Sequence, residues 1–399
     1  MSIGRDTPST GRALAARALA VEPFHVMRLL GRARELEALG RSIVHLEIGE
    51  PDFATPEPIQ AAGQRALSEG LTHYTPAAGL GKLRQAIAEH YARRYGVSVG
   101  AERILVAPGA SGALQLVFSA LLEPGDRVLL GDPSYPCYRQ VLRLLGAEPQ
   151  CVPVGADSDF QLTTERAEEV WLPGTRALVV ASPANPTGSV LDAPALADLY
   201  TLCRERGAAL IVDEIYQGLV YQVPDVTALA LGREDLYVIN SFSKYFGMTG
   251  WRLGWVAGPA EAIGVMDRLA QNLFIAANTP AQHAALAAFE PETLDILEER
   301  RRAFEARRDF LLPRLRELGF QIPNRPDGAF YLYAELPERV EMDSMAFASG
   351  LLEEVGVAVT PGQDFGDHKA GRYVRFAYTR ELDRLAEGVE RIAAYLARF

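Results

Sequence analysis

Between residues 103 and 258 the chain repeats one unit seven times: a short aliphatic run followed by a polar turn or a helical stretch. The runs are RILVAPG, RVLLGDP, QCVPV, RALVVASP, AALIVDE, LYVINSF and RLGWVAG. They are apolar throughout rather than alternating, which is the pattern of strands covered on both faces. Segments such as SGALQLVFSALLEPGD and APALADLYTLCRERGAA supply the covering helices. The expected architecture is therefore α/β, with a mostly parallel seven-stranded sheet between helices.

Beyond residue 280 the pattern changes to a long charged helix over LDILEERRRAFEARRDFLLPRLRELG, then short strands in GAFYLYAEL and YVRFAYT, then a closing helix. A chain of 399 residues exceeds what one core usually serves. We expect a large domain over 46–285 and a smaller α+β domain over 286–399. Residues 1–45 form an N-terminal arm and a helix around EPFHVMRLLGRARELEALG, which belongs to neither sheet and is expected to pack with the small domain.

The 40 Lys and Arg against 51 Asp and Glu give a net charge of −11. That balance disfavours nucleic acid or an anionic membrane as partner. Cys137, Cys151 and Cys203 show no CxxC spacing and leave an odd count, which points to a reducing, cytoplasmic setting. No apolar run approaches the ~20 residues of a spanning helix.

Polar residues collect where the aliphatic runs end: ILVAP leads into GASG, VLLGD into PSYP, LVVAS into PANPTG, LIVD into EIY and VINSF into SKYFG. In open α/β sheets ligands bind outside the carboxyl ends of the strands, so these loops point at one crevice. Turn chemistry explains the glycines, prolines and asparagines. It does not explain Asp213 directly after ALIV, nor Lys244 and Arg252 within INSFSKYFGMTGWRLGW.

The turn PGASGAL nearly matches the nucleophile elbow of α/β hydrolases, with Ser111 as nucleophile and His283 or His368 as the base. Its glycines suit equally a helix N-terminus that holds a phosphate. A P-loop and a dinucleotide fingerprint are absent, and the six histidines lack metal-ligand spacing. A phosphate at GASG, donors at Ser241, Ser243 and Arg252, and a lysine between them describe a pocket for a phosphorylated aldehyde. Pyridoxal phosphate meets each requirement: Lys244 forms the Schiff base, and Asp213 keeps the ring nitrogen protonated.

With these elements in place, GEPDFATP, HYTPAAGLGKLRQAIA, ASPANPTG, VDEIY, SFSKYFGMTGWRLGW and YVRFAY together resemble the class I/II aminotransferases, the fold-type I enzymes of pyridoxal phosphate, over nearly the whole chain. The resemblance implies that Lys244 is the Schiff-base lysine, Asp213 the partner of the pyridinium nitrogen, and Asn185 with Tyr216 the pair that bonds the ring hydroxyl. It implies that Tyr135 stacks on the ring, that Ala110 and Ser111 belong to the phosphate turn with Ser241, Ser243 and Arg252, and that Tyr74 reaches the phosphate of a second subunit in a homodimer. Arg375, helped by the backbone of Gly49 and by Asn185, matches the group that binds the substrate α-carboxylate.

The implied activity is transfer of the amino group of an L-amino acid to a 2-oxo acid by a ping-pong mechanism. Ser111 stands where some acid-specific relatives carry a lysine, so neutral aliphatic or aromatic donors are expected, with Phe24 to Met27 lining the side-chain pocket. β-C–S lyases, cyclopropane-forming synthases and cofactor-keeping sensors share the scaffold and stand as alternatives.

Overall fold

The computed structural model of the chain describes residues 14–399; the first thirteen residues of the expected arm lie outside the described residues. Twelve strands are formed among them. A two-residue strand, β1 (Val44–His45), precedes the sheet. β2 (Ile104–Ala107), β3 (Arg127–Asp132), β4 (Glu148–Pro153), β5 (Thr175–Ala181), β6 (Ala209–Asp213), β7 (Tyr237–Ser241) and β8 (Gly254–Ala257) each fall on one of the seven aliphatic runs. β9 (Tyr331–Glu335), β10 (Val357–Ala358), β11 (Thr360–Pro361) and β12 (Tyr373–Ala377) follow.

The seven runs make one sheet in the order β2-β8-β7-β6-β5-β3-β4. Pairings from β4 through β7 are parallel, while β8 lies antiparallel to both β2 and β7. β2, β7 and β8 are buried along their whole length, as expected for strands covered on both faces. β4 departs from that expectation: only Val152 within it is fully buried. It is the edge strand, where Pro149 and Pro153 remove ladder donors at no cost to an inner neighbour.

The register brings the strand ends level. Ala181 pairs with Asp213, Asp213 with Ile239, Ser241 with Gly254, and Gly254 with Ala107. Side chains just past these residues therefore open onto one crevice, against which the second unit is set. That unit holds a three-stranded antiparallel sheet, β11-β12-β9, flanked by helices Pro291–Glu317, Ser344–Val355 and Leu382–Leu396. Beside it β1 pairs in parallel with β10. β1, β10 and β11 were not expected, because two residues carry no periodicity to read.

The helix His25–Ala38 lies beside β10 and β11, and Arg32 clamps Glu353 with Nε and Nη2 at 2.5 and 3.0 Å. Arg307, on the helix Pro291–Glu317, is 2% exposed and holds both oxygens of Asp52 at 2.8 and 3.0 Å, with Glu381 at 2.6 Å on its outer side. This buried fork ties the GEPDF segment, which begins with Gly49, to the second unit. Removing one partner of such a pair strands a charge in low dielectric, whereas the largely exposed Glu381 contributes little. Asp52→Ala is expected to lower the unfolding free energy by about 3 kcal/mol and Glu381→Ala by less than about 1 kcal/mol, measured by urea titration. Equal losses for the two variants would show that the buried fork is not the anchor.

Candidate active site

Lys244 follows β7 in a tight loop. Phe242 and Phe246 turn into the core with their rings 5.1 Å apart, and the loop is closed by Met248 N donating to Phe242 O at 3.0 Å and Gly247 N donating to Lys244 O at 3.1 Å. With both flanking aromatics buried, Lys244 projects the opposite way, into the crevice. Its Nζ donates to the carbonyl oxygen of Gly49 at 2.6 Å and stands 5.9 Å from the ring centres of Tyr216 and Phe330. Burial lowers its pKa to about 8; Glu50 opposes this shift, and the positive charges of Arg375 and Arg252 add to it.

Asp213 ends β6 at 2% exposure. Burial pushes its pKa up to about 6, against hydrogen bonds from Tyr138 Oη at 2.5 Å and Ile215 N at 3.0 Å. The sequence reading passed over Tyr138, which sits three residues after Tyr135 in the helix Pro136–Leu145; its only signal was that spacing. Tyr135 lines the crevice with its ring at 81° to that of Tyr138. Tyr216 shares a hydrogen bond of 2.6 Å with Tyr331, a second residue that was missed. Tyr331 lies in GAFYLYAEL, where it looked like ordinary strand filling.

Arg375 occupies β12 at 5% exposure. Nη1 donates to Asn185 Oδ1 at 2.8 Å, and Nη2 to the Glu47 carbonyl at 2.6 Å and to Thr360 Oγ1 at 3.2 Å. Its guanidinium carbon lies 4.2 Å from the ring centre of Tyr331 and 4.9 Å from that of Phe365. Nε is buried without a partner among the described residues. An unpaired buried donor is costly, so an anionic acceptor placed there would be held strongly.

Ala110 and Ser111 open the helix Gly109–Leu121, whose N-terminus has no side-chain cap. Gly109 has φ +73°, and a Cβ on it would lie 2.7 Å from Arg252 Nη2, so only glycine lets the guanidinium settle on the start of this helix. Ser241 Oγ is engaged within the protein, at 3.0 Å from both Leu253 O and Ser243 Oγ, and accepts from Ser243 N at 3.1 Å. Lys244, Asp213, Asn185, Tyr216, Tyr135, Ala110, Ser111, Gly49 and Arg375 line one cavity of about 220 Å³. Ser241, Ser243 and Arg252 do not line it. Tyr74 lies outside it and is 82% exposed on the single chain.

The Ser111 side chain makes no hydrogen bond among the described residues, and neither His283 nor His368 lines the cavity, so the hydrolase reading has no base to act with. No group of three or more metal-ligating side chains occurs among the described residues, and none of their helices is long and apolar enough to cross a membrane.

The lowered pKa of Lys244 bears on stability. Its folded value, about 8, lies below the unfolded 10.5, so within that window the unfolded chain binds more protons and stability rises with pH. In the cofactor-free protein, wild type is expected to gain on Lys244→Met by roughly 3 kcal/mol across the window, followed by urea unfolding from pH 7.5 upwards. A stability difference independent of pH would mean that the buried amine does not carry this shift.

The family model described as aminotransferase class I and II matches residues 41–392. The chain is 40% identical to a (5-formylfuran-3-yl)methyl phosphate transaminase of Methanocaldococcus jannaschii, over 96% of this chain and 99% of that protein. It is 38% identical to a valine–pyruvate aminotransferase of Mycobacterium tuberculosis, over 94% and 97%. Its fold superposes on the crystal structure of an aminotransferase from M. tuberculosis with a TM-score of 0.94 at 38% identity, covering 97% of this chain and all of that one. Against the aspartate aminotransferase of Thermus thermophilus with maleate the TM-score is 0.91 at 37% identity, covering 96% and 99%. The chain belongs to the class I and II aminotransferases, enzymes that use pyridoxal phosphate to exchange amino groups between amino acids and 2-oxo acids.

Proposed function

We propose that this aminotransferase takes neutral, apolar L-amino acids as donors. The observation that carries this reading is the wall of the cavity. Beyond the α-carboxylate position it is formed by Phe24, Val26, Met27, Leu114 and Phe365, and among the described residues its only cationic side chains are Lys244 and Arg375. A donor with a second carboxylate would bring a charge into an apolar space that also holds the Asp364 carboxylate, and would find no cation to meet it. One relative is named for valine and pyruvate and several for aspartate, so the relatives' names alone do not decide the donor.

The residues fit pyridoxal phosphate. The uncapped N-terminus of Gly109–Leu121, with Ala110, Ser111, Ser243 and Arg252 and with Ser241 bracing Ser243, suits the phosphate. Asp213 suits a protonated ring nitrogen, because a buried carboxylate with a raised pKa is stabilised by a cation beside it. Tyr135 would stack on the ring, and Asn185 with Tyr216 would bond its hydroxyl. The cofactor, when bound, supplies an electron sink that lets the donor's α-proton depart.

The chain's own groups do the rest. Arg375, with Asn185 and the backbone of Gly49, holds and orients the α-carboxylate. Lys244, whose amine is free base over a useful fraction of molecules near neutral pH, takes the proton from the donor's α-carbon and returns one to the α-carbon of the acceptor in the second half of the ping-pong cycle. Tyr74, exposed on the single chain, completes the phosphate site of a second subunit, so the working unit is a homodimer. We further read 46–285 and 286–399 as the two domains, with 1–45 packed on the smaller, and a cytoplasmic location consistent with three free cysteines.

Borohydride treatment of the holoenzyme followed by peptide mapping is expected to leave the cofactor on Lys244. Lys244→Ala should lose turnover by about 10³-fold, in the range for removal of a positioned acid–base group. Label on Lys82 or Lys369 would remove Lys244 from its role. For Arg375, the Lys variant keeps charge without the fork and the Ala variant loses both; hydrogen bonds to a charged group of about 1.5–3 kcal/mol correspond to a fall in kcat/KM of about 10-fold to 100-fold, larger for Ala. The cofactor's absorption spectrum should not change. A donor screen that found aspartate or glutamate preferred over leucine and phenylalanine would refute the apolar-donor reading.

A further inference from the structure

The helix His25–Ala38 begins without a cap from its own sequence, since Phe24, the preceding residue, offers no acceptor. The cap comes from the far end of the chain. Asp364 Oδ1 accepts from His25 N at 2.7 Å and Oδ2 from Val26 N at 2.8 Å. Both oxygens of a carboxylate that is 4% exposed are thus engaged on the first turn of one helix, where the helix dipole also favours an anion. The residues at that turn, Phe24, Val26 and Met27, line the cavity, as do Asp364 and Phe365.

The backbone under Asp364 is fixed in turn by the large unit. Arg139 donates from Nη2 to Asp364 O at 3.1 Å and from Nη1 to Phe365 O at 2.7 Å, and Ser134 N donates to Phe365 O at 2.9 Å. On the outer side, Glu22 N donates to Gln140 Oε1 at 3.1 Å and Arg143 approaches the Glu22 carboxylate at 3.3 Å. The segment carrying Phe24 is therefore pinned before it by the helix Pro136–Leu145 and after it by Asp364. Phe24 and Val26 are only half-buried and Met27 is exposed, so packing alone does not hold them over the cavity.

We propose that Asp364 is a positioning residue that sets donor selectivity. By capping the helix it holds Phe24, Val26 and Met27 as an apolar roof over the donor's side chain. The discrimination in favour of large apolar donors over alanine depends on that roof. This inference rests on the apolar-donor reading and deepens it. A pocket that gains or loses contact with one or two methylenes changes discrimination by about 10-fold to 200-fold, and most of that appears in KM when the lost contact is made equally in ground and transition states.

The test uses the holoenzyme and three donors, alanine, leucine and phenylalanine. Asp364→Ala is expected to lower kcat/KM for leucine and phenylalanine about 10-fold more than for alanine, mainly through KM. Asp364→Asn, which keeps one carbonyl acceptor, should fall between it and wild type. Amide hydrogen exchange over residues 25–30 should quicken in the same order. Phe24→Ala, which leaves the cap in place, should reproduce the loss of discrimination and so serves if Asp364→Ala does not fold. Equal losses for all three donors, or unchanged discrimination in Phe24→Ala, would overturn the proposal. So would an unchanged leucine-to-alanine ratio in Asp364→Ala despite faster exchange at the roof. If wild type prefers dicarboxylate donors, the underlying reading fails and the roof proposal with it; if wild type prefers leucine and both variants keep that preference, only the roof proposal fails.

Discussion

Lys244 and Asp213 lie in one cavity without pairing with each other or, among the described residues, with any other charged side chain of the protein. Each is held by neutral partners, a carbonyl for the amine and a phenol and an amide N–H for the carboxylate. Burying charge without a counter-charge is among the most expensive things a fold can do, and both pKa values are displaced towards the neutral forms as a result. A cationic ring and an aldehyde supplied together relieve both costs. The rest of the architecture keeps the two groups buried and unpaired at one edge of the sheet.

The sheet does the larger part of this work. β6 and β7 are adjacent and parallel, so Asp213 at the end of one and the Lys244 loop past the end of the other arrive at the same edge. The end of the cavity at Ala110 and Ser111 is set by backbone contact: a Cβ on Gly254, in β8, would lie 2.8 Å from both Ala110 N and Gly109 C, so the helix Gly109–Leu121 begins directly on the neighbouring strand. Beneath Lys244 a cluster of Phe242, Phe246, His90, Phe289 and Trp255 fills the core. Burial drives the pKa of His90 down to about 3, so this histidine is a neutral packing residue.

The second unit supplies the far wall. Arg375 joins the two units through Asn185 on one side and the Glu47 carbonyl on the other, and a Cβ on Gly49 would collide with the Tyr331 hydroxyl. The small sheet, the GEPDF segment and the Asn185 loop therefore have to close on one another before this end of the cavity exists, and a carboxylate site of the kind proposed for Arg375 depends on that closure. Such a site tolerates little displacement, because two hydrogen bonds in a fixed plane need both oxygens in place.

The sequence by itself determined the seven strands, the burial of the inner ones and the position of the polar loops, because apolar runs between helices leave few alternatives for a chain of this length. It also made Lys244, Asp213 and Arg375 legible, since charged residues at strand ends or within a strand have no ordinary packing reason to be there. What it left open belongs to contacts across long separations. Apart from the spacing of Tyr138 to Tyr135, nothing in the sequence marks Tyr138 and Tyr331, whose hydroxyls the fold places on Asp213 and Tyr216. The bonds of Ser241 Oγ to Leu253 O and Ser243 Oγ likewise exist only in the folded chain. Asp364 carried no local signal, and only the tertiary structure brought it to the start of a helix more than three hundred residues earlier. Local pattern is written in the period of burial along a strand or helix; which hydroxyl or carboxylate meets which partner is decided by how the packed elements are arranged in space.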